Sequence, residues 1–535
     1  MKKQLILTAA VLLSASAAMA DHDVTAEKAV AESSFPAEWK DVTDARKVSL
    51  PEVPTITSSN TFTITDAAYG ASATAKNNTT AIQNALNAAK KAGGGMVVIP
   101  EGVFLCGPIT IGSKTILHLA KGATLKALPL KGYGEAVSDG DEYYPTKDGK
   151  SFNIMITNEN NSTDIIIEGE DSLTSVIDGQ GKPYWALIEN TATKDVSRPS
   201  LIRFKTGSKF LVRYLRLQNS PSTNLTLGQS GNASHFTVHD ISIKNPASTL
   251  GTGKASHNTD GIPMWGPYIN IYNCTIDTGD DNIVTDTNAR FVHAWNLTMG
   301  AGHGASMGSF TTNMHHIIYE NMTFNGTETA LRLKTNTGRS GEVYDIIFRN
   351  MTINNCTEIP IQITLNYDSY VEPSQMATSS VTATTPKFHD ILFKDIKGTC
   401  TYKKAGANKR GQALFLYGRP ESHIKNVTFD HVRITANNGI LMAYCDDVTF
   451  QNGCEFVNKS ASSQGDFTAL YEATYTGKYY DPNGYTAIES VSADKDQETA
   501  VPAAYAGKCY NLMGQQVNKD AKGIVISNGK KYYNK

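Results

Sequence analysis

Four short motifs hold the residue types with the most chemical potential in this chain. They are Asn258-Thr259-Asp260-Gly261, Gly279-Asp280-Asp281, Gly302-His303-Gly304 and Arg332-Leu333-Lys334. Hydrolysis of a glycosidic bond requires one carboxyl group that is protonated, as acid, and one that is ionised, as base. Three aspartates crowded into one place meet both demands, because like charges cannot all ionise cheaply and at least one keeps its proton. Asp260, Asp280 and Asp281 with His303 therefore form a candidate acid/base centre, a cluster costly to assemble unless it is used. A lone Arg332 or Lys334 is ordinarily a solvated surface charge, but two residues apart they share one face of a strand.

These groups are far apart in sequence, so the fold must bring them together. The steps from Asp260 to Asp280, to His303 and to Arg332 are about 20, 23 and 29 residues, the repeat range of a solenoid. A repeat of the same length runs through the surrounding chain. Leu215-Arg216-Leu217, Ile241-Ser242-Ile243, Cys274-Thr275-Ile276, Leu297-Thr298-Met299, Met322-Thr323-Phe324, Met351-Thr352-Ile353 and Val432-Arg433-Ile434 alternate in–out–in as half-buried strands do. Most are followed by Asn, Gly or Asp, which suit the bends between strands. A second strand precedes each triplet, as in Phe236-Thr237-Val238 and Ile346-Ile347-Phe348. Several short strands per coil with almost no helical periodicity predict an all-β, right-handed parallel β-helix. A β-propeller is the runner-up, but its blades need about 40 residues each. Neighbouring strands ~4.8 Å apart would place the four motifs in one surface groove. His315-His316 point to opposite faces of a strand and receive no role.

An open solenoid exposes sheet edges, so its ends need caps. The stretch 79–92 has apolar residues at helical spacing and breaks at Gly93-Gly94-Gly95, which predicts an amphipathic helix over the N-terminal coil. Lys2 and Lys3, an apolar run from Leu5 to Leu13 and Ala18-Met19-Ala20 read as a signal peptide, too short to span a membrane. The expected organisation is a signal peptide (1–20), an N-terminal extension (21–60), the β-helix (61–457), a linker or loose cap (458–506) and a short tail (507–535). Export to the periplasm, cell surface or medium follows from the signal.

The 535 residues carry 49 basic and 51 acidic side chains, which is no electrostatic footprint for nucleic acid. The 7 cysteines are scattered and odd in number, so no disulfide framework is expected. Cys445 and Cys454 are near enough in sequence to pair, although apolar filling of stacked coils is the plainer use. No C-x-x-C or H-E-x-x-H spacing points to a metal, and no cofactor is expected.

The four motifs resemble glycoside hydrolase family 28, the polygalacturonases, from about Phe62 to Phe456. Ile177-Asp178-Gly179-Gln180-Gly181, Asn219-Ser220-Pro221 and Val97-Val98-Ile99-Pro100 add to the resemblance. It implies hydrolysis of α-1,4-galacturonan with inversion, acting on pectic polysaccharide or oligogalacturonide; a monomer is expected. Asp280 is then the general acid, Asp260 and Asp281 hold and deprotonate the attacking water, and His303 hydrogen-bonds within the cluster. Arg332 and Lys334 bind the galacturonate carboxylate, Asn258 belongs to the substrate site, and Tyr367 falls where the family has a substrate-contacting tyrosine.

This chain departs from the family pattern in three places. Pro263 stands where an aspartate is common, Ser222-Thr223-Asn224 where an aromatic residue is usual, and Asn282 where the Asp-Asp pair is commonly followed by Cys. A rhamnogalacturonan or substituted-galacturonan hydrolase of the same family, a calcium-dependent pectate lyase and a non-catalytic pectin-binding β-helix are the alternatives. The tail from Cys509 resembles the short sorting tails of exported Bacteroidetes proteins, with a small β-hairpin cap as the other reading. The loops 139–150 and 368–387 are candidates for closing the groove.

Overall fold

The computed structural model describes residues 24–39, 42, 50–130, 151–189, 195–228, 232–248, 256–402, 411–459 and 469–480, with short strands between 509 and 534. Residues 1–20, where a signal peptide is expected, and the loop 139–150 lie outside the described residues. The chain divides into two units, Met1–Thr327 and Glu328–Lys535.

In the first unit the coils build three parallel stacks. The triplets form one, with Leu217 opposite Ile243, Ile243 opposite Ile276 and Ile276 opposite Met299. A second runs through Gly95–Ile99, Thr115–Leu119, Thr163–Gly169, Gly207–Arg213, Ala233–His239 and Pro267–Tyr272. The third is made of three-residue strands, among them Ile202–Phe204, Leu225–Leu227, Ile262–Met264, Ile283–Thr285 and Ala305–Met307. The sharpest bends precede the triplets: Tyr214, Asp240, Asn273 and Asn296 have φ of 56°, 49°, 55° and 55°. Asn and Asp tolerate that left-handed conformation because their short side chains bond locally.

Alternation sends one residue in two to the interior, where like stacks on like. Phe204, Phe210 and Phe236 form a ladder with centroids 4.4 and 5.0 Å apart. Each such ring, fully buried, contributes on the order of 2–3 kcal/mol. The capping helix is present as Thr79–Lys91, with Ile82, Ala85, Leu86 and Ala89 buried. Two helices go beyond the sequence reading. Thr25–Ser33 opens the N-terminal extension, and Val24, Val53 and Ile56 cover an apolar outer face made by Met96, Ile116, Ile166 and Leu211. Lys182–Glu189 lies between the first and third stacks, where Trp185 donates its indole N–H to the Ser220 carbonyl at 2.9 Å.

The second unit repeats the design. Phe348, Phe393, Phe429 and Phe450 stack at 5.1, 5.1 and 5.3 Å on successive coils. Between the triplets at Met351 and Val432 it has another coil, Ile396-Lys397-Gly398, in register with both. The coils also continue past Phe456, because Ala469–Tyr480 pairs in parallel with Asn438–Asn458 inside the segment expected as a linker. The loop 368–387 is pinned by Tyr370 stacking on Tyr417 at 5.3 Å and by the Tyr444 hydroxyl donating to Pro373 O at 2.6 Å. Cys445 and Cys454 are free, buried thiols. Strands Cys509–Tyr510, Gln516–Val517, Gly523–Ser527 and Lys530–Asn534 form an antiparallel sheet.

Candidate active site

In the first unit the candidate residues sit in the turns that lead into the third stack. Asn258 and Asp260 precede Ile262–Met264, Asp280 and Asp281 precede Ile283–Thr285, and His303 precedes Ala305–Met307. The turns interlock through the main chain. Gly261 N–H donates to Asp281 O at 2.9 Å, and His303 N–H donates to Asp280 O at 2.9 Å. A Cβ on Gly261 would stand 2.3 Å from the Asn282 carbonyl, so the close approach of the two turns requires glycine there.

Of the predicted residues, the side chains of Asp280, Asp281 and His303 come together. His303 Nδ1 lies 3.1 Å from Asp280 Oδ1 and 3.9 Å from Asp281 Oδ1. Asn258 donates to Asp280 Oδ2 from both its backbone N–H and its side-chain amide, each at 3.2 Å. Asp280 and Asp281 are buried, at 7% and 3% exposure, so their charges face little screening water. Ligand atoms of Asp280, Asp281 and His303 all fall within 4.8 Å of one another, a spacing that could surround one cation.

Two departures from the family pattern help to build this arrangement. Asn224 donates from its side chain to Thr259 O and Asp260 O at 3.2 and 3.1 Å, and its N–H meets Asp260 O at 2.8 Å. Asn282 brackets His303: its Oδ1 accepts Gly304 N–H at 2.8 Å, and its Nδ2 donates to Ala301 O at 2.9 Å. Pro263 occupies the middle of Ile262–Met264.

Three neighbours carry no motif of their own and escape the sequence reading. Ser306 donates to Asp281 Oδ1 at 2.5 Å, and its place one strand step after Gly-His-Gly is the signal that would have found it. His257 Nδ1 lies 3.9 Å from Asp280 Oδ2. Arg198 Nη2 donates to Asn258 Oδ1 at 3.2 Å from a coil well ahead of the motifs, where nothing marks it. Burial pulls its pKa down to about 10, even though Asp260 and Asp280 act to raise it.

In the second unit Arg332 and Lys334 lie on Thr329–Lys334, at 8% and 5% exposure. Both stand against the Tyr367 ring, with the Arg332 Cζ 5.2 Å and the Lys334 Nζ 5.3 Å from its centroid. Tyr367 remains 38% exposed, and its N–H donates to Asn336 Oδ1 at 2.7 Å. Two cations on one aromatic face are suited to an anionic ligand.

A parallel β-helix with a carboxylate–imidazole cluster in the turns along one stack defines a β-helix glycoside hydrolase. The chain belongs to glycosyl hydrolases family 28, whose profile matches residues 97–458. It is 30% identical over 373 residues to an endo-polygalacturonase of Pectobacterium parmentieri, covering 66% of this chain and 83% of that protein. It is 32% identical over 237 residues to a polygalacturonase of Juniperus ashei, covering 42% of this chain and 44% of that protein, less than half its length. Among solved structures, the polygalacturonase from Erwinia carotovora ssp. carotovora superposes with a TM-score of 0.57 at 26% identity. That superposition covers 77% of this chain and all 100% of the other. An exopolygalacturonase from Thermotoga maritima, at 20% identity and a TM-score of 0.58, shares the fold. The expected fold, a right-handed parallel β-helix, holds. Among the described residues no helix is long and apolar enough to cross a membrane.

Proposed function

We propose that this protein is a pectin-degrading hydrolase that cleaves α-1,4-galacturonosyl linkages of homogalacturonan by acid/base catalysis with inversion. The observation that carries the reading is His303 Nδ1 at 3.1 Å from Asp280 Oδ1 and 3.9 Å from Asp281 Oδ1. That contact joins an imidazole to the two buried carboxylates on which acid/base hydrolysis depends. The names of the relatives, polygalacturonases of bacteria and plants, support the substrate class.

Asp280 is assigned as the acid that protonates the departing glycosidic oxygen. Asp260 and Asp281 hold the attacking water and take its proton, with Ser306 fixing Asp281 by the 2.5 Å hydrogen bond. His303 steadies the proton within the cluster, and Asn258 orients Asp280. Arg332 and Lys334 bind the substrate carboxylate while Tyr367 supplies a face for the sugar. The protein is exported by its signal segment and acts as a monomer.

Product analysis on polygalacturonate over time tests this reading. Saturated oligomers appearing early as a mixture identify endo action, and monomer or dimer alone identifies exo action. No product sinks the hydrolase reading. A product that absorbs in the near ultraviolet and disappears with chelator would replace it with a lyase.

A further inference from the structure

The outward face of the third stack carries more than the motifs. In each three-residue strand the middle side chain points away from the core. Register places these middle residues in one column: Arg203 opposite Thr226, Pro263 opposite Val284, and Val284 opposite Ser306, with Leu227 opposite Met264 closing the gap. Ser306, in that column, donates to Asp281 Oδ1. Arg203 therefore stands on the same face as the candidate centre, two coils or roughly 10 Å before the turn that holds Asp260.

Arg203 shares its coil with Arg198, and a chain of hydroxyl groups runs from it. Arg203 Nη2 donates to Ser200 Oγ at 2.8 Å. Ser200 Oγ accepts from Thr223 Oγ1 at 2.7 Å, and Thr223 Oγ1 meets Thr226 Oγ1 at 2.9 Å. Arg198 Nη1 donates to Pro221 O at 2.8 Å and Nη2 to Asn258 Oδ1 at 3.2 Å. The hydrogen-bond partners are neutral, but Arg198 lies within reach of the Asp260 and Asp280 charges, whereas Arg203 forms no ion pair among the described residues. The Arg203 Nε–H is buried and has no hydrogen-bond partner among the described residues. Burial lowers the pKa of both guanidinium groups. Arg203, desolvated among neutral partners and with a donor to spare, is short of an anion.

We infer that Arg203 is a further carboxylate-binding subsite, which takes the free carboxylate of a uronate residue on the N-terminal side of the aspartate cluster. Ser200, Thr223 and Thr226 would bond the hydroxyl groups of the same sugar. The inference rests on the polyuronate reading above and deepens it. The enzyme would grip its polymer on the far side of Asp260 from His303, and methyl-esterification of that one residue would weaken the grip.

Steady-state kinetics of the full chain on polygalacturonate, compared with Arg203→Gln and Arg203→Lys, test it. Loss of a charged bidentate contact made equally in ground and transition states raises KM about tenfold and changes kcat by less than about threefold. Arg203→Lys recovers part of the loss, and on digalacturonate, too short to reach from the centre to this coil, the variants match the parent. An unchanged KM on the polymer overturns the subsite. Should Arg203→Gln fail to fold, Arg203→Lys decides: a KM several times higher upholds the inference and an unchanged one ends it. If the parent turns over no polygalacturonate, the reaction has been misread, and calorimetric titration with trigalacturonate decides the subsite separately. Weaker binding by the variant supports it, whereas equal binding, or none by the parent, overturns it.

Discussion

Asp280 holds His303 twice: its main-chain carbonyl accepts the His303 N–H at 2.9 Å, and its Oδ1 lies 3.1 Å from the imidazole Nδ1. The first contact fixes where the ring starts and the second where it ends, so the imidazole is placed by the residue it serves. Replacing His303 with Ala keeps the first and removes the second. The expected result is a fall in kcat of about 10²–10³ with an unchanged melting temperature, since general acid–base groups contribute about 10²–10⁴. Asp280→Asn should fall at least as far. Reducing-sugar release gives the rates, and a His303→Ala enzyme within tenfold of the parent would remove the histidine from the mechanism.

Asn282 is the next lever on the same turn. Its side chain donates to Ile276 O at 3.0 Å and Ala301 O at 2.9 Å and accepts Gly304 N–H at 2.8 Å, all away from water. Asn282→Ala strands the buried Gly304 N–H, while Ile276 O and Ala301 O keep the N–H groups of Gly300 and Thr278, and should cost about 1–2 kcal/mol in stability. Freed from its bracket, the His303 turn should also lose alignment, with kcat about tenfold lower and KM little changed. Denaturant titration and initial rates report the two effects separately. A variant as stable as the parent would show that water replaces the amide.

Much of this was legible because a solenoid writes its geometry into its spacing. One coil of sequence is one strand step in space, so the intervals between Asp260, Asp280 and His303 could be read directly as proximity. Arg198, Arg203 and the helix Lys182–Glu189 were not legible, because they lie on coils without a motif and depend on partners such as Pro221 and Ser220 in the next turn. The coil at Ile396 was hidden for a different reason. Its third residue is Gly398, and the eye that looks for Ile-x-Ile passes over Ile-x-Gly.

Packing explains that glycine and supplies a test. A Cβ on Gly398 would lie 2.7 Å from the Ile353 Cβ and 3.1 Å from the Ile434 Cδ1, its neighbours on the coils to either side. Those two isoleucines fill the space that a third would need. Restoring the apparent consensus with Gly398→Ile should therefore overpack the core and destabilise the protein by about 1–3 kcal/mol. Thermal denaturation would measure it, and a higher melting point would mean that the interior has room the distances deny.

The N-terminal extension provides the pH dependence. Glu27, at 2% exposure, brings its Oε1 to 2.6 Å from Arg213 Nη1 and 3.0 Å from His239 Nε2. Arg213 also pairs with Glu168 at 2.8 Å, and Glu168 with His118 at 3.0 Å. Burial alone would raise the Glu27 pKa, but the hydrogen bonds from His239 and Arg213 and the Arg213 charge together bring it to about 2. Glu168 is lowered by His118 and Arg213 against its own burial, and His118 is raised by Glu168 and Glu170 against its own. Groups with depressed pKa stabilise fully above their unfolded value, about 4.3 for Glu, and that contribution fades as the pH falls toward the folded value. His118 works the other way, stabilising fully below about 6.5 and losing its contribution as pH rises through its raised pKa. The network is therefore strongest between about pH 5 and 6.5 and weakens most steeply between about pH 4.3 and 2. Glu27→Gln strands Arg213 beside a single carboxylate and should cost about 3 kcal/mol at pH 6. Its loss of stability on acidification should then be shallower than the parent's, because one of the titrating groups is gone. Urea denaturation at stepped pH measures both, and parallel curves for parent and variant would show that the helix Thr25–Ser33 is held by its apolar contacts rather than by this charge.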